Sequence, residues 1–165
     1  MTRTRITGLT AAAAIFALDQ LIKYIVMVPL QLEAVQQIQI LPFFDLTWVE
    51  NWGVSLGMLE AKSDAMRWAL VAMTGGIATF VGVWLWREVN RTDVFGLGLV
   101  LGGAMGNILD RIRFGHVVDY ADLHFGQFRP FLVFNVADAA ITIGVLILLF
   151  RALLVRDKPK APADA

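Results

Sequence analysis

The stretch F-N-V-A-D-A-A-I-T-I-G-V-L-I-L-L-F-R-A-L-L-V, residues 134–155, decides the fold. From Val136 to Val155 it is apolar over the roughly 20 residues that a helix needs to cross hydrocarbon. Asp138 stands at its mouth. An ionised carboxylate in or beside hydrocarbon costs several kcal/mol, on the order of insertion scales, so residues of this kind carry chemistry or transport. Asp119, in G-H-V-V-D-Y-A-D just upstream, is the second such acid.

Composition agrees with a membrane protein. Of 165 residues, 58% are hydrophobic and 17% charged, with a mean hydropathy of +0.65. A soluble domain lies nearer half apolar and a quarter charged, so the surplus faces lipid. Fourteen basic residues balance fourteen acidic ones, leaving no global field to recruit nucleic acid. The chain has no cysteine, which excludes disulfides, thiolate nucleophiles and Cys-ligated metals.

Three further stretches match the fourth: residues 6–28, 66–86 and 94–109. The third is short unless Thr92, Asp93 and Asp110 lie at its interfacial ends. Pro29 stops the first helix, because it lacks an N–H and restricts the residue before it. The basic, then apolar, N-terminus also fits a signal peptide. An uncleaved first helix is the reading adopted, because the apolar run continues past Asp19 to Met27. Trp68, Trp84 and Trp86 flank the second span, where amphipathic rings favour the headgroup region.

Eight basic residues (Arg3, Arg5, Arg87, Arg91, Arg151, Arg156, Lys158, Lys160) fall on one side and five (Lys62, Arg67, Arg111, Arg113, Arg129) on the other. This bias predicts cytoplasmic termini and two longer loops facing outward. In the first of these, alternation around Ile38 and Ile40, then Thr47, Trp48 and Val49, predicts short strands on the membrane surface. Ser63-Asp64 offers a cap for the second helix. Residues 1–156 read as one membrane-embedded domain, and the polar, Pro-rich 157–165 as a disordered cytoplasmic tail.

Several constellations could carry chemistry. Asp19 and Lys23, four apart, share a helix face and form either a structural ion pair or a positioning device. Asn51-Trp-Gly53-Val-Ser55-Leu-Gly57 is a turn or a peptide contact; Ser55 has no adjacent His base. The small residues of G-G-A-M-G-N, 102–107, permit close helix packing. Asn107, Asp110 and Arg111 share a face if that helix persists, as an interfacial anchor or a network buttressing a site. Asn135 and Asp138 lie on one helix side. Two carboxyls brought together hold a single proton between them, so one can deprotonate water while the other polarises a carbonyl. Proton or ion transport is the alternative use of the pair. His116, Asp119, Asp122 and His124 contain zinc-type ligands, but their spacing fits no compact helical site and no metal is expected.

The ordered set D-Q-L-I-K, N-W-G-V-S-L-G, G-G-A-M-G-N-I-L-D-R, V-V-D-Y and F-N-V-A-D-A-A-I, between Asp19 and Ile143, resembles the lipoprotein signal peptidase family, signal peptidase II. The resemblance implies an aspartic endopeptidase of the bacterial cytoplasmic membrane, without cofactor. Such an enzyme removes the signal peptide from diacylglyceryl-modified prolipoproteins, cleaving before the lipid-modified cysteine, at a site near the outer face. Asp119 and Asp138 would be its catalytic dyad. Asp19, Lys23, Asn51, Gly53, Asn107, Asp110, Arg111, Asn135 and Ala137 match positions that support the site or contact substrate. The implied fold is all-α and polytopic: four transmembrane helices, an outer-surface β-cradle, and a short mobile helix over the site. Prolipoproteins and membrane lipids are the implied partners, and the cyclic peptide globomycin an implied inhibitor. Ser55 and Leu56 stand where Ala and Phe are more common, and Tyr120 where Phe is common. A transporter or a purely structural bundle would use the same acids without peptide cleavage.

Overall fold

The computed structural model describes residues 3–53 and 64–154. In chain order the elements are α1 (Arg3–Met27), α2 (Leu32–Val35), β1 (Gln37–Leu41), β2 (Phe44–Asn51), α3 (Asp64–Arg87), α4 (Arg91–Phe114), β3 (Val117–Leu123) and α5 (Val136–Leu154). The four long helices α1, α3, α4 and α5 are each apolar and long enough to span a membrane. Ser55, Leu56 and Ser63, and with them the proposed cap and the Pro-rich tail, lie outside the described residues.

Helix α4 is the axis of the bundle: 56% of its most apolar stretch is buried, against 22% or less for the other three. Glycine makes this possible. A Cβ at Gly98 or Gly102 would run into the α1 backbone at Gly8 or Ala12, and one at Gly103 into the Ala137 carbonyl of α5. Without hydrophobic drive between helices in lipid, such backbone approach is what holds them together. The third span is longer than its expected 94–109. Asn90 caps its start by accepting from the backbone N–H groups of Thr92 (2.9 Å) and Asp93 (3.4 Å). Gly115, at φ 89°, ends it in the left-handed conformation. Asp110 is therefore internal to the helix and fully buried rather than an interfacial anchor.

The three strands form one antiparallel sheet in the order β1-β2-β3. β1 and β2 fall where alternation predicts them. β3 lies in the second outward loop and gives no strand signal in the sequence, because V-V-D-Y-A-D is buried along its whole length and shows no two-residue alternation. Val118, Tyr120 and Ala121 of β3 pack with Val26 of α1 and Leu32 of α2, joined by Leu46 and Trp48 of β2. The sheet thus sits on one end of the bundle. Phe134 pairs with Ala121 and returns the chain to α5.

Candidate active site

A buried ion network fixes the two acid-bearing elements. Lys23 Nζ lies 2.9 Å from Asp19 and 2.6 Å from Asp110, and donates to Asn107 Oδ1 at 3.3 Å. Gln20 Nε2 donates to both carboxylates, at 3.2 and 3.1 Å. Each carboxylate then holds a backbone: Asp19 Oδ1 accepts from Ala137 N–H (3.1 Å), and Asp110 Oδ2 from Val118 N–H (3.2 Å). Ala137 precedes Asp138, and Val118 precedes Asp119. One lysine therefore couples the placement of both candidate acids.

Asn135 caps α5. Its Oδ1 accepts from Asp138 N–H at 2.9 Å, while its own N–H approaches Asp138 Oδ2 at 3.4 Å. This is a capping box, and the helix N-terminus favours the carboxylate charge. The N-x-x-D spacing carries that signal in the sequence, where only the shared face was read. Asn107 Nδ2 donates to Asp138 Oδ1 at 2.7 Å.

Asp119 is 2% exposed and projects from β3. Its oxygens accept from Asn51 Nδ2 (3.0 Å) and Asn135 Nδ2 (2.6 Å). Burial, followed by the negative charge of Asp138, pushes its carboxyl up to about 7, against the pull of the two amides. Asn135 touches both acids, and Asn107 touches Asp138 and Asn135 (3.2 Å). The carboxyls thus meet around two amides, without a hydrogen bond between them among the described contacts. Arg111, held to the Asn107 carbonyl at 3.4 Å, feels the charges of Asp138, Asp119 and Asp110.

Gly53, at φ 87°, donates its N–H to Asn51 Oδ1 (2.9 Å) and so fixes the amide that reaches Asp119. Asp138 is half-buried and opens into an apolar groove of about 310 Å³ lined by Phe131, Leu132, Phe134, Ala139, Thr142 and Ile143. A second groove of about 370 Å³ lies across Phe134 and Ala139, beneath Phe44, Leu46 and Tyr120.

The His116 to His124 constellation is dispersed. His116 packs on Trp52, ring centroids 4.9 Å apart; His124 Nε2 lies 3.1 Å from Asp45; Asp122 pairs with Arg129 at 3.1 Å and accepts from Thr47. Among the described residues, no three potential ligands are disposed around a metal. Gln20, Asp45 and Arg67 were missed. Arg67 reaches across to the Arg111 carbonyl (2.7 Å) and that of Ile112, closing the last turn of α4.

Residues 11–154 match the family model described as signal peptidase (SPase) II. The chain belongs to the signal peptidase II family. A protein named lipoprotein signal peptidase from Sphingopyxis alaskensis is 58% identical over 158 residues, covering 96% of this chain and 91% of that one. Another so named, from Rhizorhabdus wittichii, is also 58% identical, covering 95% and 91%. A solved structure described as a bacterial membrane enzyme, determined in meso at 2.3 Å, superposes with a TM-score of 0.76 at 27% identity, covering 96% of this chain and 94% of that one. Membership of this family makes the chain a multi-pass membrane peptidase of lipoprotein signal peptidase type.

Proposed function

We propose that this signal peptidase II is an aspartic endopeptidase whose dyad is Asp119 and Asp138. It cuts diacylglyceryl-modified prolipoproteins before the lipid-modified cysteine. The observation that carries this reading is the convergence of a buried carboxyl, pushed up to about 7, with a groove-facing carboxylate on a shared asparagine. The pair then holds one proton near neutral pH. Asp138, at the groove, takes a proton from water as the oxygen attacks the scissile carbonyl, and protonated Asp119 donates to the developing oxyanion. Collapse breaks the C–N bond, with Asp138 passing its proton to the leaving nitrogen and Asp119 recovering its own. No covalent intermediate is needed.

The two grooves flanking Phe134 and Ala139 suit a substrate with two apolar arms, a signal helix and a lipid. Asn51 and Arg111 are candidates to hold peptide backbone. The termini are assigned to the cytoplasm and the sheet end to the outer face, and globomycin should compete for the groove. The test is cleavage of lipidated and unmodified prolipoprotein by detergent-solubilised protein, read by product mass. Cleavage of the lipidated form alone supports the reading; cleavage of both forms, or of neither by folded protein, contradicts it.

A further inference from the structure

Helix α5 stops short. Gly103 of α4 lies against Ala137, and Gly96 against Gly144, so these helices run antiparallel in a fixed register. From Gly103, α4 continues to Phe114, roughly 16 Å further at ~1.5 Å per residue. From Asp19, which holds Ala137 N–H, α1 continues roughly 12 Å to Met27. At the sheet end α5 is therefore recessed by roughly two helical turns relative to α1 and nearly three relative to α4. Helices of 24 residues, roughly 36 Å long, exceed a hydrocarbon core of about 30 Å by little. Helix α5, 19 residues and roughly 29 Å long, itself nearly fills that core, so the recess faces the sheet-end boundary between acyl chains and headgroups.

The segment occupying that height is the connection between β3 and α5. It presents Phe125 (59% exposed), Phe128 (66%), Phe131 (62%) and Leu132 (79%). Hydrocarbon demands that backbone groups find partners within the protein. Phe125 and Phe128 exchange both N–H···O bonds (2.8 and 3.2 Å) across a two-residue turn, with Gly126 at φ 63°. Pro130 has no N–H to satisfy. The one charged side chain of the turn, Arg129, is tied back to buried Asp122. Leu132 lies within about 14 Å of Val136, the reach of four extended residues. Phe131 and Leu132 also share a groove with Thr142 and Ile143 of α5, so the patch continues the lipid-facing surface of that helix.

We propose that residues 125–132 are a lipid-seated turn that replaces the missing outer turns of α5, with its rings among the acyl chains of the sheet-end leaflet. The turn forms the membrane-side rim of the groove leading to Asp138. Only the rim's part in substrate entry rests on the peptidase reading; lipid contact can be measured without substrate.

The chain has no cysteine, so single-cysteine probes need no background removal. Phe128→Cys, Leu146→Cys on the exposed face of α5, and Val89→Cys between α3 and α4 would each carry a polarity-sensitive fluorophore in phosphatidylethanolamine/phosphatidylglycerol nanodiscs. Phe128→Cys should be quenched severalfold more by lipids spin-labelled near the glycerol than by aqueous iodide, as a lipid-facing site requires, with Val89→Cys showing the reverse. Iodide quenching of Phe128→Cys at the Val89→Cys level would place the turn in water and overturn the proposal. So would self-quenching relieved by unlabelled protein in larger vesicles, which would mark a contact between copies. For the rim, a Phe125→Ser/Phe128→Ser protein should show a KM for vesicle-held lipidated substrate raised at least threefold with kcat unchanged; an unchanged KM refutes that part. Lack of any cleavage by unsubstituted protein would instead defeat the peptidase reading and leave the quenching result standing.

Discussion

Asp119→Asn should make the protein more stable in alkaline solution while abolishing cleavage. The carboxyl of Asp119 is raised from 3.8 to about 7, so the folded state binds more protons than the unfolded state between those values. Stability therefore falls as pH rises through that window. With about 1.4 kcal/mol per tenfold change, the loss between pH 5 and pH 8 is about 3 kcal/mol, as an order of magnitude. Asparagine does not titrate and should remove this slope. It also turns its amide NH2 towards one of the two donors, Asn51 (3.0 Å) or Asn135 (2.6 Å), while its carbonyl oxygen still accepts from the other, and the lost bond costs on the order of 1–3 kcal/mol at every pH. The variant should therefore melt at or below the parent at pH 5 and gain on it by roughly 6–12 °C on going to pH 8, at 2–4 °C per kcal/mol. Thermal melts of both proteins in detergent across pH 5–8 measure this difference. Parallel curves would refute the assignment of an elevated proton affinity to Asp119.

The same carboxyl sets an expectation for activity: kcat/KM for lipidated substrate should fall as pH rises through about 7, when Asp119 loses its proton, and a flat profile to pH 9 would contradict the monoprotonated pair. Lys23→Met leaves Asp19 and Asp110 buried without a cation and should cost about 3–5 kcal/mol, seen as loss of monodisperse protein on gel filtration. Gly103→Ala forces α5 away from α4 at Ala137 and should lower both melting temperature, by about 1–3 kcal/mol equivalent, and kcat; Gly75→Ala, with open space around it, should leave both at or above the parent.

Apolar runs made the four spans legible in the sequence, because lipid demands long, uninterrupted helices. Their ends were harder to read. Asp110 and Arg111 could be read either as an interfacial anchor or as part of a network buttressing a site, because the cation that neutralises Asp110 is Lys23, on another helix. Alternation revealed β1 and β2 but not β3, which is buried on both faces. The acids themselves stood out by their cost in an apolar chain, and the helical spacing of Asn135 and Asp138 was visible. That Asn135 would touch both acids depended on a strand delivering Asp119 beside the start of α5, held there by Asp110 and Asp19. Gln20 was overlooked because an amide next to an acid is common, and nothing local shows that it spans two carboxylates.

The most direct measurement of the central claim is cleavage of a diacylglyceryl-modified prolipoprotein by the unsubstituted protein, Asp119→Asn and Asp138→Asn, with folding of each checked by thermal melt and products weighed by mass spectrometry. The account predicts a product beginning at the lipidated cysteine for the unsubstituted protein and none above background for either folded variant. Full cleavage by a correctly folded Asp138→Asn protein would contradict it.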